Sequence, residues 1–144
     1  MIWLNADHFH TTSIASSNED SNMHKHWPEL AAGLTPALKE LRGGAPEVMK
    51  GFSAIARAAL EGSALDAKTK ELIALAISVA IRCDACIAFH AESAVKRGAS
   101  RAEMMETMGM AIYMGAGPSV MYAAQAAEAF DQFAAGPADK VAEG

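Results

Sequence analysis

Cysteine is scarce in this chain, with two in 144 residues, at positions 83 and 86. So few, so close together, cannot form the disulfide framework of a small secreted scaffold. Aromatic residues are scarce too, at 6% against a hydrophobic total of 51%. The apolar content is therefore built from small side chains, 32 of them alanine, which favour closely packed helices and fill a sandwich or barrel interior poorly. Positive charge is in deficit: twelve Lys plus Arg face seventeen Asp plus Glu, for a net charge of −5. That balance speaks against a nucleic-acid partner. The opening residues lack a basic stretch followed by a continuous apolar one, so no secretory leader is expected and the cytoplasm is the expected compartment. One uncharged run, residues 107–127, is long enough to cross a bilayer. Gly115-Ala116-Gly117-Pro118 interrupts it and Gln125 lies inside it, which predicts two helices meeting at a turn and no contact with a membrane.

What is present reads as an all-α domain, a compact bundle of about six helices. Leu30, Leu34, Leu38 and Leu41 recur at helical spacing up to Gly43-Gly44. Pro46 opens a second helix that carries Val48, Met49, Phe52, Ile55 and Leu60. Asp66 can cap a third, apolar on every side over 72–81 apart from Ser78, and such a helix is expected to be buried all round. A fourth starts near Cys83 and ends at Gly98; Ser100 and Glu103 form a capping box for a fifth, and Pro118 starts a sixth. Residues 1–27 and 135–144 are expected to be flexible tails around a domain at 28–134. The surplus of apolar residues predicts self-association, with the methionines at 104, 105, 108, 110, 114 and 121 filling core and subunit contacts.

The chemistry concentrates between Glu71 and His90. Two cysteines three apart in the first turn of a helix can alternate between dithiol and disulfide. The partial positive charge at a helix N-terminus favours thiolate over thiol. His90 lies one turn beyond Cys86, placed to accept a thiol proton directly or through a water. Glu71 heads the apolar helix that runs into Cys83, so its carboxyl can point into the same interior and join a proton relay; the plainer alternative is a surface ion pair with Lys68 or Lys70. Cys83, Cys86, His90 and Glu71 also count to four metal ligands, but a carboxylate twelve residues upstream of the first cysteine is an unusual fourth ligand. No metal is expected there, nor at His8, His10, His24 and His26 in the tail. Gly115-Ala116-Gly117 follows no strand and precedes no lysine, so no nucleotide or other cofactor is expected.

The pattern of Glu71, eleven residues, then Cys83-x-x-Cys86-x-x-x-His90, continuing into a helix-Gly-helix segment as far as Phe130, resembles the carboxymuconolactone decarboxylase family on its alkylhydroperoxidase D-like side. The resemblance implies an all-α fold, assembly as a homo-oligomer (trimer or hexamer), and reduction of a hydroperoxide substrate. It makes Cys86 the peroxide-reactive cysteine, Cys83 its proton donor and resolving partner, and Glu71 and His90 members of the proton relay. The reductant would be a dithiol, on a lipoylated or thioredoxin-like protein. One position departs from the pattern: the peroxidase has a histidine just before its second cysteine, and here it is Ala85. The decarboxylase branch, a non-redox rival, generally lacks the cysteine pair. A non-catalytic redox sensor or metal-binding oligomer is the alternative from a different class.

Overall fold

The computed structural model describes residues 25–136, and most of both predicted tails, at 1–24 and 137–144, lies outside them. Among the described residues there are five helices and no strands: α1 (Trp27–Gly44), α2 (Pro46–Leu60), α3 (Ala67–Ala80), α4 (Asp84–Lys96) and α5 (Arg101–Ala135). Helices α3, α4 and α5 pack against one another, α1 lies across α4 and α5, and α2 packs on α1.

Local sequence explains where each helix begins. Prolines stand in the first turns of α1 and α2, where a missing N–H costs nothing. Asp66 Oδ1 accepts from the amide of Thr69 at 2.6 Å to start α3. The capping box of α5 closes as expected: Glu103 N–H donates to Ser100 Oγ at 3.2 Å, and Ser100 N–H to Glu103 Oε2 at 2.8 Å. The ends are equally local. Gly98, with φ of 78°, turns the chain out of α4 through Ala99 N–H to the carbonyl of Ala94 at 3.0 Å. At the end of α3 the same turn is made by Arg82, at φ 59°, with Cys83 N–H donating to the carbonyl of Ser78 at 3.1 Å. That left-handed residue swings the chain directly into α4 and sets Cys83 at its N-cap.

The core is close-packed for the reason the composition gives. Eight of its sixteen buried apolar residues are alanines, among them Ala88, Ala91, Ala94, Ala126 and Ala129, so backbones approach closely around Leu75, Val79, Ile87, Met104 and Phe130. Trp27, placed by the sequence at the edge of a tail, is the first residue of α1 and is wholly buried. Removing such a ring costs about 3–5 kcal/mol in a core.

The expected break within residues 107–127 is present: α5 consists of two helical segments that meet at Ala116, whose φ of 54° and ψ of −153° are not helical. A single residue makes the turn because Gly115 lets Ser119 fold back against its Cα, where a Cβ would overlap Ser119 Oγ. A correction concerns α3, expected to be buried all round. Leu72, Leu75, Ser78 and Val79 are inside, but Ile73, Ile77 and Ile81 form an exposed stripe. The bundle covers one side of this helix and leaves the other apolar. Helix α2 has no buried residue, and Val48, Phe52 and Ile55 lie on its surface. The methionines divide likewise: Met104 and Met108 are core, whereas Met105, Met110, Met114 and Met121 are exposed. No described helix is long and apolar enough to cross a membrane.

Candidate functional site

The four residues singled out in the sequence fall into two bonded pairs, Cys83 with Cys86 where α3 gives way to α4, and Glu71 of α3 with His90 of α4. Cys83 and Cys86 are joined as a disulfide with Cα atoms 5.2 Å apart. Cys83 occupies the N-cap of α4, and its Sγ accepts the backbone N–H of Cys86 at 3.2 Å. A sulfur at that position receives an amide that the helix cannot otherwise satisfy, together with the positive end of the helix dipole. Both cysteines are half-buried.

Glu71 is in α3, 3% exposed, and its carboxylate faces α4. Its Oε2 lies 2.8 Å from Nδ1 of His90 and its Oε1 lies 3.3 Å from Nε of Arg97. The surface alternative for Glu71 is set aside by its neighbours. Lys68 pairs with Glu103 at 2.6 Å, and Lys70 donates to the carbonyls of Leu60 and Glu61 at 3.1 and 3.0 Å. A carboxylate that takes the Nδ1 proton fixes the ring and leaves Nε2 as its basic nitrogen. His90, with 35% of its side chain exposed, joins the buried carboxylate to the solvent side of the helix. Among the described residues no three His, Cys, Asp or Glu side chains converge as metal ligands.

The sequence profile of the carboxymuconolactone decarboxylase family matches residues 46–129, from the start of α2 almost to the end of α5. The chain belongs to that family. Its members similar to this one include a Legionella pneumophila protein of the carboxymuconolactone decarboxylase family whose apo crystal structure is known. It is 51% identical, with a TM-score of 0.73 over 75% of this chain and 96% of its own. An uncharacterised protein of Cupriavidus necator is 40% identical over 86 residues, 60% of this chain and 76% of its own. An uncharacterised protein from the cox locus of Paracoccus denitrificans is 31% identical over 96 residues, 67% of this chain and 86% of its own.

Within this family fold, three site residues escape a reading of sequence alone. Arg97 supplies the second partner of Glu71. Its signal was present, because it stands seven residues after His90, two turns along one face of α4. Asp84 lies between the cysteines and pairs through Oδ2 with Lys25 Nζ at 2.7 Å. Lys25 gave no signal, since it precedes the first periodic segment and meets Asp84 only through the tertiary fold.

Proposed function

We propose that this protein is a thiol-dependent hydroperoxide reductase, a disulfide oxidoreductase of the alkylhydroperoxidase D-like branch. The observation that carries the reading is the Cys83–Cys86 pair at the head of α4, one turn before a histidine that a buried carboxylate holds in place. In the reduced protein His90 takes the proton of Cys86, and the helix terminus favours the thiolate. The thiolate attacks the terminal oxygen of the hydroperoxide and the O–O bond breaks. Sulfur keeps one oxygen as sulfenic acid, and the alkoxide or hydroxide takes up a proton to leave as alcohol or water. Cys83 then displaces the sulfenic oxygen as water, forming the disulfide. A dithiol on a lipoylated or thioredoxin-like protein reduces it by exchange and is itself oxidised to a disulfide. A reducing cytoplasm suits such a cycle.

Assembly belongs to the same reading. Ile73, Ile77 and Ile81 form an exposed stripe, and Phe52 and Ile55 of α2 are exposed as well; large apolar side chains grouped in this way mark contact surfaces. We assign them to contacts between copies of the chain in a trimer or hexamer.

The deciding experiment is mass spectrometry of the reduced protein before and after hydroperoxide. One intramolecular disulfide should replace two free thiols, and Cys86→Ser should abolish turnover with a dithiol. Thiols that survive peroxide intact sink the proposal; activity retained without either cysteine points to the non-redox decarboxylase chemistry instead.

A further inference from the structure

An ion pair between partly exposed side chains ordinarily contributes little and is seldom held in one geometry. Lys25 is held from several directions. Its ammonium contacts Asp84 Oδ2 at 2.7 Å and Gln125 Oε1 at 2.6 Å, and it sits 5.3 Å from the centroid of the buried Trp27 ring. Its backbone is fixed as well. Gln132 Nε2 donates to the carbonyl of Lys25 at 2.8 Å, while Gln132 Oε1 accepts from the amide of Trp27 at 2.8 Å. Residues 25–27 are thus strapped to α5, and the strap delivers one positive charge to Asp84.

Asp84 stands between the two cysteines in the first turn of α4. A carboxylate there suits the helix dipole but opposes the ionisation of either thiol. Its Oδ1 is buried and has no hydrogen-bond partner among the described residues, so Oδ2 and Lys25 carry its compensation. The nearest other charged or titratable groups along the chain are Arg82 in the turn before the pair and His90 one turn beyond Cys86, while Glu71 on α3 is taken up by His90 and by Arg97 at the far end of α4.

We infer that Lys25 is a positioning residue for the redox pair. By neutralising Asp84 it lets the N-terminus of α4 act on the thiols, and so it sets how readily they ionise. The inference rests on the thiol reading of this pair, but it does not depend on hydroperoxide being the substrate.

The test uses the full chain, reduced, in four forms: wild type, Lys25→Met, Asp84→Asn and the double variant. Each is alkylated with iodoacetamide across a range of pH, and the tryptic peptide 83–96 is sequenced to locate the label. Lys25→Met should move the thiolate midpoint to higher pH and slow alkylation at neutral pH about three- to tenfold. Asp84→Asn should move it to lower pH, and the double variant should recover at least the wild-type rate. A Lys25→Met profile matching wild type overturns the inference, as does a double variant as slow as Lys25→Met. Asp84→Asn is independent of any folding defect caused by loss of the lysine, and an unchanged midpoint there overturns it too. Because no peroxide is added, failure of this test is distinct from failure of the proposed catalytic reading.

Discussion

Glu71 Oε2 meets His90 Nδ1 at 2.8 Å from a position that is 97% removed from solvent on the glutamate side, since that residue is 3% exposed. A carboxylate so placed is costly unless its oxygens are satisfied, and here a histidine and an arginine divide them between one oxygen each. Glu71→Gln keeps the size and removes the charge. With the reaction proposed above, it should lower the rate of peroxide-driven disulfide formation by about 10²-fold, within the range of a lost acid–base group, while circular dichroism stays that of the wild type. An unaltered rate would show that the pair serves only the fold.

The kink in α5 makes opposite predictions for adjacent residues. Ala116 sits at φ 54° and ψ −153°, a region that suits glycine, so Ala116→Gly should stabilise the protein by about 1 kcal/mol despite the added freedom of the unfolded chain. Gly115→Ala should destabilise it by about 1–3 kcal/mol, because the new methyl collides with Ser119. Urea unfolding of the two variants measures both. The same sign for both would mean that the bend does not constrain this segment.

These residues also mark what the sequence can and cannot disclose. Caps, prolines and the pair Ser100 and Glu103 act within four residues of each other, so the helix starts were legible. The Cys83, Cys86 and His90 set was legible for the same reason, being written on consecutive turns of one helix. Glu71 needed a family resemblance, because nineteen residues separate it from His90. Lys25 could not be found at all: it lies 59 residues from Asp84, and only the folding of α1 and α5 brings them together. The break in α5 was visible as Gly115-Ala116-Gly117-Pro118, but its sharpness was not, since that depends on how Ser119 packs. The exposed side of α3 was misjudged because an all-round apolar helix does not say whether its cover comes from its own chain or from another.

That apolar side supports a prediction about assembly. The wild-type chain should run in light scattering as a multiple of 15.1 kDa. Ile77→Glu, in the middle of the Ile73–Ile77–Ile81 stripe, should shift it toward the single-chain mass without loss of helix, because Ile77 is 54% exposed and contributes little to the core of its own subunit. A wild-type protein that is already monomeric at micromolar concentration excludes the assignment.

A last prediction concerns acid. The carboxyl of Glu103 is lowered from 4.5 to about 2, first by its hydrogen bond from Lys68 and then by those from the backbone and side chain of Ser100. A group whose folded value lies below its unfolded one stabilises the fold above the unfolded value, and that contribution is lost as the pH falls through the folded value. The start of α5 should therefore hold at pH 5 and above and weaken progressively between about 4.5 and 2. Glu103→Gln removes the titrating group, so the part of the acid dependence of Tm that belongs to this cap should disappear in that variant while the neutral-pH Tm falls. The two proteins should converge in stability as the pH approaches 2. Wild-type and variant curves that run parallel from pH 6 to 2 would place the acid-sensitive contacts elsewhere, since the capping carboxylate is the group that distinguishes them.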